Sequence, residues 1–391
     1  MRRGSVGLLL FALAMATVLR GGTDIKNQAF VSCVAIDPAE NGKLLVSIQI
    51  PANQGDGFKG ASGSDGNGAG GSAEQSTIVE AIAFQFIDAT EVLNASIPRE
   101  LNYSQVLQIL IAEEIAKDGR FTSLLDDIMR LRDIRSSAAI VICRGKAQDI
   151  LMFQKPILSE RLASNIATQM TIAQEMGIIP DTNMGELLRL CHGAWRDAIV
   201  PYSSLNMESE LYPNSENEEE GIPLDRPAGD MPFSIGDNSV DYIGAVLLLD
   251  GRMIGSLTGM EMRLLTFVMG KSREFTYFVD DVYLRVHQTR PASIRVIQGE
   301  SGWIIRVGGR IHANVLQLGV TSEERIRDAL TYQILSLLRK LQAYGVDPAG
   351  FEGKAIRNVL AITDWPHDRW IEGYQNATIE VSIHVTVGEI R

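Results

Sequence analysis

An α+β fold is what this sequence predicts, built as three domains, each a small mixed or antiparallel sheet covered by helices. Three observations carry the expectation. Ile243 to Lys271 reads as one complete unit: the β-branched and aliphatic run Ile243 to Leu249, an Asp250-Gly251 turn that supplies positive φ, and a return strand at Arg252 to Ile254. A helix then opens at Thr258 with Glu261 three residues on and stops at Gly270. Further along, Thr321 with Glu324 forms a second capping box for a long helix whose Ile326, Leu330, Ile334, Leu337, Leu338 and Leu341 share one face before Gly345 ends it. Last, the closing run alternates Ile379, Val381, Ile383, Val385 and Val387 with Glu380, Ser382, His384 and Thr386. That is the pattern of a strand with one covered face.

From the amino terminus, Arg2 and Arg3 precede an apolar run from Val6 to Leu19, the layout of a secretory signal, so residues 1–22 are set apart as a signal-like segment. As a helix that run reaches about 21 Å, short of a hydrocarbon core of about 30 Å. An N-terminal α+β domain is expected over 23–155. Its stretch at 53–76 is almost wholly Gly, Ser, Asp, Asn and Ala and should be a mobile loop. The GxGxxG at Gly66 to Gly71 lies inside that loop and lacks the tight turn of a dinucleotide site. Thr77 to Ala89 is read as a helix. Val106 to Ile111 fits helix or strand by periodicity; Glu113 to Lys117, ended by Gly119, and Ser123 to Arg132 read as helices, and Ala139 to Cys143 as a strand.

Residues 156–240 are expected to form a helical middle domain with an acidic linker. Ser159 caps a helix to Met176 with Leu162, Ile166, Met170 and Ala173 on one face, and Asn183 with Glu186 starts another to Ile199. Tyr202 to Tyr242, rich in Pro, Gly and acid, reads as linker. The C-terminal α+β domain spans 241–391, with further strands at Asp281 to His287, Ser293 to Ile297 and Trp303 to Ile311, the last two joined by a turn from Gly299 to Gly302.

Composition narrows the function. With 36 Lys plus Arg against 48 Asp plus Glu, the net charge of −12 argues against a nucleic-acid partner. Cys33, Cys143 and Cys191 allow at most one disulfide, and two of them sit in apolar strand-like runs, so three thiols are expected. His192, His287, His312, His367 and His384 stand singly, without metal-ligand spacing. Gly270-Lys271-Ser272 follows a helix instead of opening one, and no G-x-S-x-G occurs. No catalytic, cofactor or metal set is therefore readable. Two clusters remain as candidate interface residues. Arg130, Arg132 and Arg135 surround Asp133, as a solvated helix face or as a contact patch for an acidic partner; Trp365 and Trp370 bracket His367, Asp368 and Arg369, as interface anchors or as core packing under the final helix.

The strand, Asp-Gly turn, strand, Gly-x-Leu-Thr and capped helix of 243–271 resemble the C-terminal domain of the Ger(x)C family, the C subunits of nutrient germinant receptors of spore-forming bacteria. AFVSCVAIDP (Ala29 to Pro38) and LLVSIQIP (Leu44 to Pro51) resemble the family's opening pair of strands, Val106 to Leu151 its central block, and WPHDRW with ATIEVSIHVTVGEIR its close. The resemblance makes Val106 to Ile111 a strand. It implies a non-enzymatic subunit, needing no cofactor, that acts with membrane-embedded A and B receptor subunits on the outer face of the spore inner membrane. The family's lipobox cysteine is replaced here by Gly22, which cannot form the thioether, so a lipid anchor is not expected there. Cys33 is expected as a buried strand thiol instead. A competing reading is an exported solute-binding protein with an interdomain ligand cleft; an enzyme ranks third.

Overall fold

The computed structural model describes residues 27–51, 76–154, 162–193, 195–205, 223–229, 240–300, 302–316, 321–357 and 367–388. The signal-like segment, the Gly-rich loop up to residue 75, the Ser159 cap, Trp365 and most of the acidic linker lie outside them. Three sheets make the frame. Strands β2 (Cys33–Pro38), β6 (Gln108–Ala112), β7 (Ala139–Cys143) and β8 (Ile199–Leu205) run parallel at the centre of an eight-stranded sheet. Antiparallel strands β3 (Leu44–Pro51) and β4 (Ser76–Ala83) extend it beyond β2, and β9 (Val240–Leu249) and β10 (Arg252–Leu257) extend it beyond β8. A two-stranded parallel sheet joins β1 (Gln28–Phe30) to β5 (Glu100–Asn102). The third holds β11 (Glu274–Val279), β12 (Val282–Gly299), β13 (Gly302–Val315) and β14 (Thr378–Gly388), antiparallel except for β13 with β14.

The parallel centre of the large sheet is buried on both faces. β6 sends Ile109 and Ile111 to a core shared with helices α1 (Phe86–Ser96), α3 (Phe121–Arg130) and α6 (Met184–Cys191). Its Leu110 and Ala112 face a second layer under α4 (Ala147–Phe153) and α5 (Leu162–Glu175). A short helix, α2 (Glu113–Lys117), follows β6 directly. In the four-stranded sheet one face packs on α7 (Gly259–Val268) and α8 (Glu323–Tyr344), while the other faces solvent. Helices α9 (Phe351–Ile356) and α10 (His367–Gln375) complete that layer.

Between the two layers runs β9. Its Val246 and Leu248 belong to the first core, its Ala245 and Leu247 to the core under α7 and α8. The eight-stranded sheet therefore runs across residue 240, where the sequence places a boundary between the middle and C-terminal domains.

The most legible unit holds in detail. Asp250 and Gly251 both take positive φ (49° and 74°) in the hairpin turn. Thr258 Oγ1 accepts from the Glu261 N–H at 3.2 Å, and Glu261 Oε2 accepts from the Thr258 N–H at 2.9 Å. Lys340 of α8 then pairs with Glu261 at 2.7 Å, tying the two helices of the layer together.

Four expectations are corrected. Thr77 to Ala89 is not a helix: β4 occupies its first part, hydrogen-bonded along β3, and α1 begins at Phe86. The strand's alternation was masked because Ile82 and Phe84 are exposed apolar residues beside the inward Ala81 and Ala83. The helix from Asn183 stops at Cys191, since Ile199 and Val200 are pulled into β8 between β7 and β9. Pro201, which has no N–H to give, sits there at a break in register. Ser322 caps α8 in place of Thr321, accepting from the Arg325 N–H. Finally, the stretches at 281–287 and 293–297 are one strand, β12, bent between Gln288 and Ser293 where its register on β13 breaks, and β11 is an additional strand.

Candidate functional site

Arg130 closes α3, and Arg132 and Arg135 lie on the connection from α3 to β7, all three exposed. The connection is pinned from below. Ile134, 5% exposed, enters the first core, and the first turn of α6 holds the backbone, with Met184 N–H donating to Ala138 C=O at 3.0 Å and Gly185 N–H to Ser136 C=O at 2.9 Å. None of the three guanidiniums forms an ion pair among the described residues. Three free cations thus stand on a fixed backbone in a chain of net charge −12, and a fixed backbone lowers the ordering cost of an acidic partner's docking.

Trp370 is elsewhere and differently used. It lies on α10, 3% exposed, edge-on to Trp303 at 5.4 Å and stacked on Tyr374 at 5.9 Å, inside the core of the four-stranded layer. Of the two readings its sequence left open, core packing is the one realised, and Trp370 is withdrawn from the candidate interface. The structure does not bring it together with the arginines, whose anchor Ile134 belongs to the other core.

Two cavities that the sequence reading did not locate lie where the layers meet. The larger, about 460 Å³, opens between α5, α6 and α7 and is lined by both signs of charge, Glu175, Asp181 and Asp197 against Arg196, Lys271 and Arg273. The smaller, about 160 Å³, lies beside Asp197, Asp347 and Glu352. Asp197 precedes β8 and Asp347 follows α8, and they clasp each other across the layers. The Asp347 N–H donates to Asp197 Oδ2 at 2.6 Å, and the Asp197 N–H donates to the Asp347 C=O at 3.1 Å. Asp347 Oδ2 accepts from the Glu352 N–H at 2.8 Å, whereas its Oδ1 is buried with no hydrogen-bond partner among the described residues. Burial, with the neighbouring charge of Asp197 adding to it, pushes the Asp347 carboxyl up to about 7. Nothing local in the sequence announces this clasp, because its members are distant in the chain and meet only through the fold.

Cys33 and Cys143 are fully buried on β2 and β7, and burial pushes the Cys33 thiol up to about 12. Among the described residues no helix is long and apolar enough to cross a membrane.

Comparison with known proteins covers both layers. Residues 21–205 match the family model for the spore germination protein N-terminal domain, and residues 243–390 match that for the spore germination B3/GerAC-like C-terminal domain. The two matches meet inside the eight-stranded sheet, one ending with β8 and the other starting in β9. Over 384 residues the chain is 21% identical to YfkR of Bacillus subtilis (strain 168), a protein named for spore germination, with 93% of this chain and 91% of the relative covered. The crystal structure of the GerBC protein shares the fold with a TM-score of 0.54 at 14% identity, over 90% of this chain and 96% of that one.

Proposed function

The chain belongs to the GerAC-like family of spore germination proteins, and on that premise we propose that it serves as the non-enzymatic C subunit of a nutrient germinant receptor. In this reading it sits on the outer face of the spore inner membrane, bound to membrane-embedded A and B subunits. The observation that carries the reading is the match of both family domains, in order, along one chain. The arginines on the α3–β7 connection support it by offering an ordered, unpaired cationic surface for an acidic partner. With Gly22 at the position of the expected lipobox cysteine, retention falls to the Val6 to Leu19 segment or to the partner subunits.

Deleting this chain in a strain whose other nutrient receptors have been removed tests the reading. Germination on nutrient should be lost and germination by a non-nutrient trigger kept; unchanged nutrient germination would overturn it.

The cavity between α5, α6 and α7 favours a second reading, a solute-binding protein, since its volume and mixed charges suit a small polar ligand. Calorimetric titration of the isolated chain with nutrients separates the two. Saturable heat that disappears when the cavity is filled by Thr266→Trp belongs to the second reading; the receptor-subunit reading needs none.

A further inference from the structure

The open face of the four-stranded sheet carries Arg285, Arg290, Arg295, Arg306 and Arg310 against only Glu274 and Glu380, in a chain that is acidic as a whole. Register places these charges in rows. Arg290 stands opposite Arg310, and Arg310 opposite His384, so three adjacent strands present two guanidiniums and an imidazole side by side, at strand spacings of about 4.8 Å. Like charges directly opposite one another destabilise a sheet. Elsewhere on the face carboxylates stand among the charges: Arg285 meets Glu274 at 3.0 Å, and in the row of Arg295, Arg306 and Glu380 the middle guanidinium meets Glu380 at 2.6 Å. Arg290, Arg310 and His384 have no carboxylate partner among the described residues.

The next row is Ser293, Gly308 and Ser382. A Cβ on Gly308 would come within 2.8 Å of Ser293 Oγ, so bare backbone forms the floor of a depression between two hydroxyls. The register of β12 on β13 breaks on both sides of Arg290, beside Pro291, and such a bulge re-aims the side chains it carries. These residues line a groove of about 460 Å³ with no acidic side chain in its wall.

We propose that this groove is a binding site for a phosphate-type oxyanion. The guanidiniums of Arg290 and Arg310 supply forked donors that match the spacing of phosphate oxygens, and the His384 ring and the hydroxyls of Ser293 and Ser382 supply the rest. The anion neutralises a row of like charge that nothing in the described chain neutralises. A free phosphate and the headgroup of an anionic lipid share this chemistry, and the test separates them.

The full chain is titrated with inorganic phosphate in a calorimeter at constant ionic strength. It is also sedimented with phosphatidylglycerol-containing vesicles, the binding to phosphatidylcholine vesicles setting the baseline from the Val6 to Leu19 segment. Saturable phosphate binding should weaken at least about 10-fold in Arg290→Ala/Arg310→Ala and in Gly308→Val, which fills the floor, and remain in Arg285→Ala. Should the double variant prove unstable, Arg310→Gln at its exposed position reads the same loss. Phosphatidylglycerol-dependent sedimentation with the same variant pattern and no phosphate heat identifies the source as a lipid headgroup. Absence of both, or an equal loss in Arg285→Ala, overturns the site.

Discussion

In the eight-stranded sheet, β6 buries every side chain, Ile109 and Ile111 on one face and Leu110 and Ala112 on the other. In the four-stranded sheet, β14 buries Ile383 and Val385 and leaves His384 and Thr386 to solvent. The central strands of the first arrangement are spent on packing, and Arg130, Arg132 and Arg135 stand instead on a helix end and the connection that follows it. The second keeps a whole face free and can set charges in register across it. The two layers thus carry charge in two forms, a fixed loop on the first and a patterned sheet face on the second, with β9 shared between their cores.

Breaking the second core gives the largest expected effect. Ile334 on α8 is 1% exposed, and Ile334→Asp desolvates an unpaired carboxylate, which costs more than about 4 kcal/mol. Because β9 serves both cores, tryptophan fluorescence and far-UV circular dichroism should be lost in one transition in denaturant; two separate transitions would show that the layers unfold independently. Tyr332→Asp on the same helix, at a side chain 73% exposed, should shift stability by no more than about 0.5 kcal/mol.

The clasp between the layers titrates. Asp347 has its carboxyl raised from 3.8 to about 7 in the folded chain, so between those values the unfolded chain releases the proton more readily and stability falls as pH rises, flattening above about 7. The full effect is on the order of 4 kcal/mol. Melting temperatures across pH 4 to 8 should show this slope in the native chain and lose most of it in Asp347→Asn.

Thr258→Ala removes the hydroxyl that accepts from Glu261 N–H at the start of α7 and should cost about 1 kcal/mol by chemical denaturation. Smaller still, Arg306→Ala deletes an ion pair whose partners are each about half exposed, and should cost less than about 1 kcal/mol. A larger loss would mean that the open face contributes to the fold beyond its charge pattern.

What the sequence made legible follows the same division. The stripe of α8, the capping box at Thr258, the Asp-Gly turn and the alternation of β14 all lie in or beside the layer with an open face, where period and punctuation differ visibly between buried and exposed positions. Doubly buried strands lose that contrast. Val106 to Ile111 fits a helix as well as a strand by its periodicity, and Ile199 and Val200 read as the end of a helix until β7 and β9 are seen on either side. At the sites, the arginine cluster was visible as a run of charge, whereas the clasp of Asp197 with Asp347 and the row of Arg290, Arg310 and His384 depend on register across distant segments. Composition and spacing do not report register.

The central claim, that this chain works as a receptor subunit through its surface, is tested most directly by purifying the tagged full-length chain from solubilised spore membranes. Native chain and the variant Arg130→Glu/Arg132→Glu/Arg135→Glu are compared, with co-eluting proteins quantified by mass spectrometry. The account predicts that membrane-embedded A and B subunits co-elute with the native chain and fall at least about 10-fold with the folded variant, each 1.4 kcal/mol of lost contact being a factor of ten. Elution of the native chain without either subunit would contradict it.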